Sequence, residues 1–331
     1  MFTKKIENKS VFIMICIIVF ALINIVLYCF SEGISGNDFW WHIKVGEYVL
    51  ENRTVPTTDI FSWFGTEKGI PWTAHEWLAD VIFYLIFNAT GEFGIFSLSI
   101  ICASLIIYLL WQQNKQYIRD NLLISGVFFS LFAVLSSMFF YGRPHVFSFF
   151  FLFFKLKILY RFWEDNNYKG IFFLPLISIF WSNIHGGSSG LSYLLCIVFL
   201  IAGTLRFELG RIVAAKLSRK GILILAVITL GTVLGILVNP IGFKVWLYPY
   251  QSFADTLSMT IISEWRAPDA KDLGNLILYF LPIIIMSIGL ISETKKIRFI
   301  DLAVMGVFLF LFFRSARFIV MWYISAGFYA F

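Results

Sequence analysis

The chain reads as an all-α polytopic membrane protein with about ten transmembrane helices. Three observations predict it. Hydrophobic residues make up 59% of the 331 residues and charged residues only 14%, where a soluble domain carries roughly a quarter charged residues. Mean hydropathy is +0.82. The apolar residues also fall in runs close to the length that crosses a bilayer, about 20 residues. The four cysteines, Cys16, Cys29, Cys102 and Cys196, lie in such runs without paired spacing. They fit small buried hydrophobes better than a disulfide framework or a zinc site.

The elements follow in order. Lys4, Lys5 and Lys9 precede an apolar run over 11–30 with no small-x-small cleavage site, so the run is an uncleaved first span rather than a signal peptide. Further spans are expected at 94–111, 122–140, 146–163, 170–184, 189–207, 221–238, 274–291, 299–313 and 317–331. The segment 76–88, "EWLADVIFYLIFN", is too short to cross and reads as a helix lying at the interface. The last span, "FIVMWYISAGFYAF", lacks the basic flank that closes each earlier inward passage. A chain cut short within that span is therefore expected.

Most of the 26 basic residues collect in one set of loops, with Lys115, Arg119, Lys169, Arg206, Lys220 and Lys295 among them. By the positive-inside rule this set, and the N-terminus with it, faces the cytoplasm. The net charge of +6 is thus a topology signal and no evidence for nucleic-acid binding. The opposite loops, 31–75, 141–145, 185–188, 239–273 and 314–316, hold all four histidines: His42, His75, His145 and His185. They also hold the strings "NDFWWH", "WTAHEW", "YGRPH", "WSNIHGG", "VNPIG" and "SEWRAPD". This asymmetry points to an outward-facing site.

Each string admits a functional and a purely structural reading. As a helix, 38–51 places Asp38 and His42 on its apolar side, opposite Lys44, Glu47 and Glu51. Such a pair is a candidate titration site; Asp38 could equally cap the helix. Trp40 and Trp41 suit an interfacial aromatic belt. Thr73 and Glu76 match a capping box, with His75 left as a candidate for substrate contact. Arg143 in "YGRPH" could pair with a phosphate or snorkel to headgroups. "NIHGG" offers Asn183 and His185, followed by glycines that permit close backbone approach. Arg314 and Arg317, three apart at a span end, could both face a phosphate or simply anchor the interface. The chain contains no Walker loop, HExxH string, metal-type cysteine spacing or nucleophile elbow. No inverted repeat with interrupted helices is visible, which weighs against a transporter.

The strings "DFWWHIKVGEYVLENRTVPTTDIFSW", "PWTAHEWLADVIFYLIF", "YGRPHVFSF" and "WSNIHGG" resemble bacterial multi-spanning proteins of the GT-C glycosyltransferase superfamily. Within it they are similar to the family-39, protein-mannosyltransferase-like enzymes. The resemblance covers roughly 10–200 and is looser beyond. It implies one integral-membrane domain whose large first external loop carries two juxtamembrane helices, matched here by 39–52 and 76–88. It also implies an essential acidic residue just after the first span, matched by Asp38. Many relatives have a second acidic residue beside it; here Asn37 and Phe39 flank Asp38, and a divalent metal stays an open alternative. The implied reaction moves a sugar from a polyprenyl-phosphate donor to a glycan, lipid or protein acceptor, at the outer face of the bacterial cytoplasmic membrane. Asp38 would act as general base. His42, His75, Glu76, Arg143, His145, Asn183, His185, Arg314 and Arg317 would bind substrate, with an arginine on the phosphate. Two alternatives stand beside this one: a cell-surface polysaccharide polymerase or ligase, and a flippase or transporter for lipid-linked sugars.

Overall fold

A computed structural model describes residues 11–329 except 18, 21, 25, 28–37, 121, 138, 141, 166–167, 272 and 293. The chain is mostly helical. Parts of the first expected span and the start of the loop after it, 31–37, lie outside the described residues.

After helical residues within 11–27 come α1 (Phe39–Asn52) and α2 (Trp77–Thr90). Their limits agree with the helices expected at 39–52 and 76–88. At 14 residues, α2 spans only about 21 Å at 1.5 Å per residue, less than the ~30 Å hydrocarbon core. The two pack closely because Gly46 has no side chain: a Cβ there would overlap the Asp80 backbone carbonyl. Phe39, Ile43, Ala79 and Phe83 form the shared apolar core. Between them a short helix, Trp63–Lys68, is capped by the Ser62 hydroxyl and closed by Gly69 at φ +60°.

The bundle continues with α3 (Glu92–Asp120), α4 (Leu122–Ser137), α5 (His145–Asp165), α6 (Phe173–Ile184), α7 (Gly190–Thr204) and α8 (Arg219–Ile236). Next come α9 (Phe243–Ala254), α10 (Leu281–Ser292), α11 (Phe299–Arg314) and α12 (Ile319–Tyr329). Helix α12 is buried almost throughout, and its Val320, Tyr323 and Ile324 join Leu110, Phe132, Phe153 and Phe308 in the main core.

Helices stand near the expected spans, but their lengths differ. Among the described residues, four segments are long and apolar enough to cross a membrane: Glu92–Lys115, Gly186–Thr204, Arg219–Ile236 and Leu273–Ile291. The expected span 170–184 is broken near Phe172, leaving α6 with 12 residues. Pro175 sits in the first turn of α6, where a missing N–H costs little. Lys155, within the expected span 146–163, is fully buried in α5. Its Nζ donates to the Leu174 carbonyl at 3.0 Å and the Ser178 hydroxyl at 2.9 Å.

The expectation of an all-helical chain needs one correction. A small sheet forms from β1 (Phe207–Leu209), β2 (Ile212–Ala214) and β3 (Ile297–Arg298). β1 and β2 are antiparallel, with Leu209 opposite Ile212 across a turn at Gly210, φ +57°. β3 lies parallel to β2, with Ile297 beside Ile212. The alternation in so short a segment is hidden among charged residues, so sequence periodicity did not reveal it. The sheet lies at the end of the bundle opposite His145: Arg298 of β3 pairs with Glu164, at the far end of α5.

Candidate functional site

The site begins where α1, α2 and the turns before α5, α7 and α12 meet. A buried carboxylate stands at its centre. Glu76 Oε1 is 3.2 Å from His185 Nε2 and 3.5 Å from His75 Nε2, and Glu76 Oε2 is 3.9 Å from His42 Nδ1. The capping box expected for Thr73 and Glu76 is not formed. Glu76 itself occupies the N-cap position of α2, yet its side chain makes no capping bond. Three imidazoles compete for it successfully because charge-assisted contacts are stronger than a neutral cap. Burial alone would raise the Glu76 carboxyl, but the neighbouring His75, His185 and His42 outweigh it and hold it well below the usual carboxylate range.

The three imidazoles differ. His75 stacks on Tyr248 of α9 at 3.8 Å, and its Nδ1 donates to the Thr73 carbonyl at 3.0 Å. Nδ1–H is therefore committed, so facing Glu76 with a second N–H makes the ring an imidazolium. Accordingly, Glu76 overcomes the burial of His75 and raises its pKa. Burial pushes His185 well below the usual histidine value, against the pull of Glu76. Burial likewise lowers His42 to about 4.

His42 was paired with Asp38 from the sequence. Its Nδ1 instead lies 2.7 Å from Asp80 Oδ1, and both side chains are buried. Burial, and then the Glu76 charge, push Asp80 well above the carboxylate range. A single proton between Asp80 Oδ1 and His42 Nδ1 satisfies this contact. The second Asp80 oxygen is buried without a hydrogen-bond partner. Sequence reasoning missed Asp80. The available signal was its place four residues after Glu76 on an otherwise apolar helix, which puts both carboxyls on one face.

His185 reaches this cluster because of glycine. Gly186 N–H donates to the His75 carbonyl at 2.8 Å. A Cβ at Gly186 would lie 2.6 Å from Val245 Cγ2 and 2.8 Å from that carbonyl oxygen. On its other side, His185 Nδ1 is 2.6 Å from Ser148 Oγ and 2.7 Å from Ser188 Oγ. Asn183 turns elsewhere. It accepts from Trp77 Nε1 at 2.9 Å and donates to the Ile179 and Val238 carbonyls. These bonds use its amide to tie α6 to α2 and to the end of α8.

A second chain of charges borders the cluster. Arg143 lies 2.9 Å from Asp38 Oδ2 and 2.9 Å from Glu264 Oε1. Asp38 precedes α1 but makes no side-chain capping bond; the guanidinium takes its carboxylate, which stays 45% exposed. Glu264, within "SEWRAPD", was noted from sequence only as part of a string. Burial would raise it, but Arg143 and Arg317 hold its carboxyl down. Arg317 stacks over the Trp265 ring at 5.0 Å. The structure separates Arg314 from it: Arg314 is exposed at the end of α11 while Arg317 faces inward. A 3-10 turn at Ala316–Phe318 breaks the helical phase that would have aligned them.

Glu264, Arg317, His145, His185 and Ser188 line one cleft, closed on its other sides by Phe139, Phe149, Phe253, Met259, Phe318 and Met321. His145 Nε2 hydrogen-bonds the Phe139 carbonyl at 2.5 Å. Among the described residues, no group of three His, Cys, Asp or Glu side chains is arranged to hold a metal ion. The partner of Asp38 is itself a cation, so the residues present do not form a ligand set around it.

No family model, curated protein or solved structure matches the chain.

Proposed function

We propose that the protein is a membrane glycosyltransferase that moves a sugar from a polyprenyl-phosphate donor to an acceptor, working as a GT-C-like enzyme of about ten spans. One observation carries the reading: an apolar cleft whose lining includes Glu264 and Arg317 is linked, through the Glu264–Arg143–Asp38 ion pairs, to the half-exposed carboxylate of Asp38. A lipid-linked sugar phosphate needs those two surfaces side by side. The phenylalanine and methionine side chains suit the prenyl chain, and Arg317, stacked on Trp265, suits the phosphate. Asp38 would take the proton of the acceptor hydroxyl, and Arg143 would hold its carboxylate in place. In this reading the site faces outward from a bacterial cytoplasmic membrane, with the N-terminus inside and the acceptor a glycan, lipid or protein.

Mass spectrometry of cell-surface glycans and glycolipids, with and without the protein, tests it. Loss of one sugar from a defined product is expected. Altered polymer length with unchanged sugars would favour a polymerase or ligase, and an unchanged surface would reject transfer. Lys155, buried within α5, favours a transporter in principle, since intramembrane cations mark pathways. Its bonds to Leu174 and Ser178 of α6, however, suit a helix clamp.

A further inference from the structure

We propose that Ser188 is the nucleophile of a second activity of this cleft, acyl transfer through an O-acyl serine. It is independent of sugar transfer and uses a different reacting atom. Glu76, His185 and Ser188 form a carboxylate–imidazole–hydroxyl line. His185 Nε2 lies 3.2 Å from Glu76 Oε1; a proton on Nε2, facing that carboxylate, leaves Nδ1 as an acceptor. That nitrogen is 2.7 Å from Ser188 Oγ. A nucleophile held by a base that is oriented by a third group is the arrangement that activates serine. The roles of the two ring nitrogens are exchanged relative to the usual order, but the proton path is the same.

Ser148 adds a relay. Its hydroxyl is 2.6 Å from His185 Nδ1 and 2.9 Å from Ser188 Oγ. One lone pair on Nδ1 accepts one strong hydrogen bond. Either Ser188 donates directly, or it donates to Ser148, which donates to His185. In both arrangements a proton leaving Ser188 ends on His185. Trp181 Nε1–H lies 2.9 Å from both hydroxyl oxygens and would stabilise negative charge on them. Ser188 also stands two residues before the 15-residue helix α7, whose N-terminal dipole favours a developing oxyanion. Of the two serines only Ser188 lines the cleft, so it is the one a ligand can reach.

The cleft selects the donor class. Its aromatic and methionine walls fit a long acyl chain, and Arg317 fits an oxyanion or an anionic leaving group. Ser188 Oγ attacks the carbonyl carbon of an ester or thioester, and its proton passes to His185. The bond to the alkoxide or thiolate breaks, and that leaving group takes the proton from His185. Water or an acceptor hydroxyl then attacks the acyl-serine, regenerating the Ser188 hydroxyl and releasing acid or ester.

The test uses the full chain in detergent and a long-chain alkyl fluorophosphonate, with the adduct mapped by peptide mass spectrometry. Ser188 of the wild-type protein should acquire one phosphonyl group. Ser188→Ala should lose it, and His185→Gln should slow it at least ~100-fold, the usual loss of a general base. Ser148→Ala separates direct from relayed proton transfer by a smaller or larger slowing. An unmodified Ser188 in folded wild-type protein overturns the proposal, as does equal labelling in the His185 variant. Neither result depends on whether the protein transfers sugar.

Discussion

The two ends of the bundle handle charge in opposite ways. At the sheet end, Lys296 and Glu208 meet at 2.8 Å with side chains 66% and 55% exposed, and the half-exposed Arg298 ties the exposed Glu164 to the buried Asp301. At the other end, Glu76, Asp80, His42 and His185 are all below 8% exposure. Exposed pairs cost little to make and contribute little. Buried ionisable groups lose hydration, and removing one partner strands the others. A chain with this much apolar surface could have filled the second region with leucine. It keeps a titratable cluster instead, and such clusters concentrate at functional sites.

The contrast breaks first at Glu76. Glu76→Gln leaves the His75 imidazolium buried without its counter-charge, and a loss of about 3–5 kcal/mol is expected, read as a large fall in unfolding temperature in detergent. An unchanged transition would mean that the cluster carries no charge. Next is the turn that brings His185 in. Gly186→Ala pushes a methyl into Val245 and the His75 carbonyl and should cost about 1–3 kcal/mol. Gly187→Ala, whose Cβ would meet only ordinary contacts near 3.4 Å, serves as its neutral partner in the same melt.

Acidity sharpens the comparison further. The lowered pKa of His42 and His185 means the unfolded chain takes up protons first. Stability they provide is present above about 6.5 and is lost as pH falls towards the folded value, about 4 for His42. Glu76, whose pKa is depressed, adds to the loss below its unfolded value of 4.5. The raised pKa of His75 works the other way: its contribution is full below 6.5 and fades as pH rises through the folded value. His42 and His185 should therefore pull the unfolding temperature down between pH 6.5 and 4, against Asp80, whose raised pKa makes its contribution grow as pH falls, and His42→Gln should weaken that pull. A slope identical to wild type would remove His42 from the account. The smallest effect belongs to the sheet end: Lys296→Gln should change stability by less than about 1 kcal/mol, and any such change should fade with added salt.

How much of this was legible in the sequence follows from range. Apolar runs are local signals, so α7 and α8 stand close to their expected limits, whereas α3 continues to Asp120, past the expected end at 111. Gathering the histidines into one set of loops was equally readable. Pairings were not. His42 and Asp38 share a helix face by spacing, yet Asp80, 38 residues away, takes the imidazole. Arg143 reaches Glu264 across 121 residues, a contact no periodicity encodes. Ser148 and Ser188 look like ordinary polar residues until His185 is placed between them. The capping-box pattern at Thr73–Glu76 was present, but tertiary contacts to three imidazoles overrode it.

As the proposed base of a sugar-transfer site, Asp38 should be indispensable to turnover. The direct measurement is the turnover of Asp38→Asn against wild type, at matched protein levels, in membranes supplied with a polyprenyl-phosphate sugar. Asparagine is nearly isosteric with aspartate and still accepts a hydrogen bond from Arg143, so insertion and expression should hold. Loss of the base should lower turnover at least ~100-fold. Turnover close to wild type would contradict the account and shift the test to Glu76 and His75.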